Sequence, residues 1–259
     1  MKSLFFAALA LLLTACASGP RIDTSHVSQG QDSRVQFIVL HYTSADLERS
    51  LELLEGDDVS SHYLIGEAPA TIYRLVDETR RAWHAGESEW NGRTWLNASS
   101  IGIELVNRGY VEDAQGHRLW YPYSDEQIDT LIVLLKDIMQ RHNLKPGAII
   151  GHSDIAPQRK VDPGPLFPWK RLAAAGLVPW PNAVAVERER NLFADNLPDV
   201  AWFQTQLAKQ GYRVPRHGQL DLETRNVLAA FQMKYRPTRF DGQPDAETAA
   251  LLAVLNSAG

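Results

Sequence analysis

Val35-Gln36-Phe37-Ile38-Val39-Leu40-His41-Tyr42-Thr43 is an apolar, β-branched run that carries a histidine near its end. Its length and composition read as a buried strand, with His41 close to the C-terminal edge. Shorter strand-like runs follow at His62 to Ile65, Ile72 to Val76 and Ile101 to Val106, separated by Gly, Pro and Asn turn signals. Pro146-Gly147 then breaks the chain before Ala148-Ile149-Ile150, a short strand that delivers Gly151-His152. Between these strands the period changes. Ser124-Asp125-Glu126-Gln127 has the form of a capping box and opens a helix over residues 124–142. Ile128, Leu131, Ile132, Leu135, Ile138 and Met139 recur at three- and four-residue steps, so one face of that helix packs on the strands. The expected fold class is α/β, a mixed central sheet flanked by helices, over residues 34–180.

Val178-Pro179-Trp180-Pro181-Asn182 closes this domain; residues 181–190 read as a charged linker and residues 191–259 as a separate, small all-α domain of three helices. Asp221-Leu222-Glu223-Thr224 and Asp245-Ala246-Glu247-Thr248 each place a short acceptor where a helix should start. No tandem repeat of solenoid type is evident. At the other end, Lys2 precedes an apolar stretch from Leu4 to Leu13. That stretch is too short to span a bilayer and reads as the core of a signal peptide over residues 1–15. Leu13-Thr14-Ala15-Cys16 resembles a bacterial lipobox, which implies that Cys16 is acylated and that polar residues 16–33 form a lipidated tether. A plain secretory signal with an incidental Cys16 is the alternative. Ala17 stands where inner-membrane retention would call for Asp, so the expected location is the periplasmic face of the outer membrane.

The 259 residues are 44% hydrophobic and 22% charged, an ordinary globular balance. The net charge of −5, with 15 basic against 20 acidic side chains between 34 and 180, repels a phosphate backbone and excludes sequence-independent nucleic-acid binding as the main role. The single cysteine permits neither an intramolecular disulfide nor a Cys-based zinc cage, so any metal must rest on His and carboxylates. His41, His152 and Asp162 are the candidate ligands: two imidazoles and one carboxylate suit zinc and leave a fourth position for water. Spacing alone does not separate such a set from packed or solvated histidines.

Four separated motifs decide the matter. His41-Tyr42-Thr43, Trp83-His84-Ala85-Gly86, the segment from Asn97 through Ser100-Ile101-Gly102-Ile103-Glu104-Leu105, and Gly151-His152 through Pro163-Gly164 resemble the zinc-dependent N-acetylmuramoyl-L-alanine amidases, in the same order, over residues 35–175. The resemblance implies zinc on His41, His152 and Asp162, Glu104 as the acid that positions or deprotonates water, and Lys160 as the cation at the developing oxyanion. Amide hydrolysis needs each of these functions. His84 reads either as a substrate contact in the cleft or as a structural histidine, and Asn97 either as a donor to substrate amides or as an Asx-turn residue. Trp83, Trp90 and Trp95 either line a groove or fill the core. His62, at a strand start, is assigned no chemistry.

Ala201-Trp202-Phe203, Gly211-Tyr212, Gly218 through Thr224, Phe231-Gln232, Asp241-Gly242 and Asp245 through Thr248 are similar to a small helical peptidoglycan-binding domain. The combined expectation is a lipid-anchored zinc amidase that cuts between N-acetylmuramic acid and L-alanine of peptidoglycan or muropeptides during wall turnover or recycling. Two alternatives stand beside it: a non-catalytic peptidoglycan-binding lipoprotein, and a zinc peptidase that cuts within the stem peptide.

Overall fold

The computed structural model describes residues 19–257, and the chain divides into two units, Met1–Asp32 and Ser33–Gly259. The expected signal peptide of residues 1–15 and the expected acylation site Cys16 lie outside the described residues, and residues 19–32 carry no helix or strand. In the larger unit, chain order runs β1 (Phe37–Tyr42), α1 (Leu47–Leu54), β2 (Tyr63–Ile65), β3 (Ile72–Arg74), a two-residue hairpin of β4 (Glu89–Trp90) and β5 (Arg93–Thr94), then β6 (Ser100–Leu105). A second hairpin of β7 (Tyr110–Glu112) and β8 (Arg118–Trp120) precedes α2 (Asp125–His142), β9 (Ile149–Gly151), α3 (His152–Ile155) and α4 (Trp169–Ala174). The main sheet has the order β3-β2-β6-β1-β9, with β1 parallel to both β6 and β9 and only β3 antiparallel.

Strand alternation assigns the two faces. Ile38 and Leu40 of β1, with Ile101, Ile103 and Leu105 of β6, meet Ile128, Leu131, Leu135 and Ile138 of α2 in one buried core. Val39 and Ile150 point to the opposite face. His41 and Glu104 are paired in register at the C-terminal ends of β1 and β6 and belong to that opposite face, where the sheet stops and the site begins. Ser124 caps α2 as expected, its side chain accepting from the Gln127 backbone N–H. The reciprocal half of the capping box does not form. The Gln127 amide is buried and donates instead to the carbonyls of Ile65, Gly66 and Val106, tying the helix start to the ends of β2 and β6.

The stretch expected to be a linker is helical. Asn182 caps α5 (Ala183–Asp195), whose Glu187–Arg190 pair lies on the solvent side while Val186 and Phe193 pack inward. Charges three residues apart fit one exposed helical face as readily as they fit a charged linker. Three further helices follow, α6 (Val200–Lys209), α7 (Leu222–Tyr235) and α8 (Ala246–Ser257), with α5 laid along α8. Nor is this part independent of the sheet. Phe203, Leu207, Val227, Leu228 and Phe231 are fully buried in one core with Val39, Leu96 and Ile150 of the sheet domain. Each such side chain contributes roughly 1.5–3 kcal/mol by burial, so the helices cover the second sheet face as part of the same body.

The helical part uses one hydrogen-bonding pattern twice. Gln204 accepts from Gly218 N–H and donates to Gln219 O and Thr224 Oγ1, while Gln232 accepts from Gly242 N–H and donates to Gln243 O and Thr248 Oγ1. The expected caps also hold: Asp221 accepts from Thr224 N–H and Asp245 from Thr248 N–H. Gly242, with φ +70°, lies where a Cβ would come within 2.4 Å of Arg225 O, so only glycine fits that turn.

Candidate metal centre and cleft

His41 ends β1, His152 opens α3 immediately after β9, and Asp162 returns to the same point from the loop beyond α3. All three are buried, and one ligand atom from each lies within 4.8 Å of the others. His41 Nδ1 is 2.9 Å from His152 Nδ1 and 3.2 Å from Asp162 Oδ2, and His152 Nδ1 is 3.0 Å from the same carboxylate oxygen.

The protonation of this cluster follows from its outer hydrogen bonds. Ser100 Oγ donates to Leu96 O, which leaves it to accept from His84 Nε2–H at 3.1 Å. His84 is held neutral, well below the usual histidine range, by burial and by the neighbouring imidazoles, so its Nδ1 is a bare acceptor. It therefore accepts a hydrogen bond from His41 Nε2–H, 3.0 Å away, and His41 Nδ1 is left with a lone pair. His152 reaches the same state by donating Nε2–H to Ala85 O at 3.2 Å. Two bare nitrogens and one carboxylate oxygen this close repel one another unless a cation lies between them. The donor set, His2Asp with both outer nitrogens occupied, fits zinc.

Burial pushes His41 down to about 4, helped by His152 and opposed by Asp162. Burial alone would raise Asp162, and a proton on His152 or His41 would pull it far below the ordinary carboxylate range, the positive charge that a bound cation would supply in their place. Glu104 behaves oppositely. Burial first, then the charge of Asp162, push it up to about 8 against the pull of Lys160. Its Oε2 is buried without a hydrogen-bond partner among the described residues. Both Glu104 and Lys160 line the same cleft of about 360 Å³ as His41, His152 and Asp162, and Leu53, Val59 and Trp83 form its apolar side.

Residues 31–165 match the family described as N-acetylmuramoyl-L-alanine amidase, and residues 196–252 match a putative peptidoglycan-binding domain. N-acetylmuramoyl-L-alanine amidase AmiD of Escherichia coli K12 is 43% identical over 96% of this chain and 95% of its own length. This chain belongs to the N-acetylmuramoyl-L-alanine amidases. The structure of E. coli AmiD in complex with the substrate anhydro-N-acetylmuramic acid-L-Ala-D-γ-Glu-L-Lys is similar to it at a TM-score of 0.84 and 42% identity, covering 93% of this chain and 95% of that one. AmpDh3 of Pseudomonas aeruginosa, solved in complex with anhydromuramic pentapeptide, gives 0.85 and 38% identity over 92% of this chain and 98% of its own.

Not every residue singled out in the sequence of this amidase reaches the cleft. Asn97 does not line it: its Oδ1 accepts from the backbone N–H groups of His84 and Ala85 and so holds the loop that carries His84. His84 does line the cleft, yet its two ring nitrogens are taken by His41 and Ser100. Trp83 is half exposed on the cleft wall, Trp95 is exposed away from it, and Trp90 is buried against Tyr212 at a ring separation of 4.8 Å. Two residues of this amidase site were passed over. Ser100 sets the tautomers, and Gly102 leaves room for the His84 ring, whose Cγ would lie 2.4 Å from a Cβ at that position. The signal was the alternation Ser100-x-Gly102-x-Glu104, which puts all three on the face of β6 shared with His41.

Proposed function

We propose that this amidase binds zinc on His41, His152 and Asp162 and hydrolyses the amide between the lactyl group of N-acetylmuramic acid and L-alanine, with anhydro-muropeptides among its substrates. When bound, zinc supplies Lewis acidity that activates water near neutral pH and polarises the scissile carbonyl. Glu104 takes the proton of the attacking water and returns it to the departing L-alanine nitrogen, a task suited to a carboxylate whose basicity burial has raised. Lys160 faces the same space and stabilises the negative charge that develops on the carbonyl oxygen. The relay from Ser100 through His84 holds His41 in the one tautomer able to ligate. The observation that carries this reading is the convergence of two bare imidazole nitrogens and one carboxylate opposite an unpartnered Glu104. The structural relatives solved with anhydromuramyl peptides support the substrate class.

We further propose acylation of Cys16 and residence at the periplasmic face of the outer membrane, supported by Leu13-Thr14-Ala15-Cys16 and by Ala17. Full-length protein in detergent, stripped with chelator and resupplied with zinc, is to be incubated with sacculi and with anhydro-muropeptide, and the products identified by mass spectrometry. Peptides beginning with free L-alanine, formed only with zinc, are expected. Fragments cut inside the stem would replace the amide assignment with a peptidase, and sedimentation with sacculi without any release would replace it with a binding protein. Radiolabelled palmitate entering the wild type and not Cys16→Ser tests the anchor.

A further inference from the structure

The segment that supplies His152, Lys160 and Asp162 is gripped from outside the sheet domain. Asp154, two residues after His152 on α3, is 1% exposed and accepts three hydrogen bonds. One comes from its own turn, Gly151 N–H at 2.9 Å. The other two come from the helical part: Lys234 Nζ of α7 at 2.7 Å and Tyr212 Oη, in the loop after α6, at 2.6 Å. Lys234 is itself buried, with its ammonium 4.3 Å from the centre of the Trp169 ring. Two turns earlier on α7, Asn226 donates to Gln158 Oε1 at 2.9 Å, while Gln158 Nε2 donates to Glu223 O at 3.0 Å. Asn226 and Lys234 are eight residues apart and so lie about 12 Å apart on one side of a helix. They meet Gln158 and Asp154, at either end of the turn between the two ligands. A buried ion pair is a weak source of net stability, because desolvation offsets much of its attraction, but it fixes geometry.

We propose that α7 is a splint for the metal site, with Lys234 and Tyr212 acting as positioning residues that fix α3, and hence His152, through Asp154. The inference rests on the zinc reading above. It gives the helical part a role in the catalytic apparatus distinct from any hold on the wall.

The test compares wild type, Tyr212→Phe, Lys234→Met, and Lys234→Met with Asp154→Asn, which removes the lone buried carboxylate left by the single change. All are full-length in detergent and assayed below their melting temperatures. Zinc affinity is read by competition with a chromophoric chelator, kcat and KM on a soluble muropeptide, and sacculus binding by sedimentation. The expected result is about tenfold weaker zinc binding in each variant, a lowered kcat at unchanged KM, and undiminished sedimentation with sacculi. Melting temperatures that fall while zinc affinity and kcat stay at wild-type values would overturn the proposal, as would loss of sacculus binding alone. Failure of the wild type itself to retain zinc would overturn the metal reading instead, which keeps the two claims separable.

Discussion

Gly102→Ala perturbs the centre without touching a ligand. A Cβ at this position would lie 2.4, 2.6 and 2.7 Å from Cγ, Cδ2 and Nδ1 of the His84 ring, where ordinary contact begins at 3.4 Å. Strand β6 is held on both sides by β1 and β2, so the ring must retreat, by about 1 Å. The His41–His84 hydrogen bond, now 3.0 Å, then lengthens to about 4 Å, beyond any useful geometry. Loss of an outer partner of a ligating histidine lowers metal affinity about 10–100-fold, or about 1.4–2.7 kcal/mol at 1.36 kcal/mol per decade. Zinc competition with a chelator measures the affinity, and circular dichroism of the metal-free protein shows that the fold persists. The double variant Gly102→Ala with His84→Ala should be no weaker than His84→Ala alone, since both changes act through one ring. A folded Gly102→Ala protein with wild-type zinc affinity, or additive losses in the double variant, would refute the reasoning.

Glu104→Gln keeps the shape of the side chain and removes its basicity, so kcat should drop about 10²–10⁴-fold with zinc affinity retained; a smaller loss in the steady-state assay assigns the base elsewhere. Lys160→Met should lower kcat about 10²–10³-fold with little change in zinc content, measured by atomic absorption on the purified variant. Glu78 supplies a pH test of stability. Burial alone would raise its pKa, but Arg141, His142 and Tyr63 all donate to it and hold it down at about 2. The folded value lies below the unfolded one, so its contribution is complete above pH about 4.5 and disappears as pH falls toward 2. Because the site is partly solvated, that contribution is about 1–2 kcal/mol. Melting curves should show Glu78→Gln below wild type at pH 7 and converging with it near pH 2.5; a constant gap contradicts the assignment.

The strands at 35–43 and 101–106 and the helix at 124–142 were legible because each has a clean period over enough residues to exclude the other period. The hairpins β4–β5 and β7–β8 have strands of two or three residues, too short for alternation to register. The helix α5 was missed because none of its residues is fully buried, so Glu187, Arg188, Glu189 and Arg190 dominated the reading. At the site, the candidate ligands His41, His152 and Asp162, with Glu104, were marked by motif, and they line one cleft. Asn97 stayed open between substrate and backbone because an amide that binds one and an amide that binds the other look alike in sequence; its Oδ1 is taken by the His84 and Ala85 N–H groups. The contacts of Asp154 with Tyr212 and Lys234 span 58 and 80 residues, and nothing local to either partner announces them.

The shared core beneath β1 and β9 bears on how this enzyme would meet a polymer. Two modules on a flexible leash would sample many relative poses, and their joint action would follow from effective concentration. Here Phe203 and Phe231 sit in the same core as Val39 and Ile150, so the leash has zero length. A surface gripped by the helices would therefore stand at one displacement and one angle from the cleft, as the jaw of a gauge does, and only bonds at that offset along a strand would come within reach.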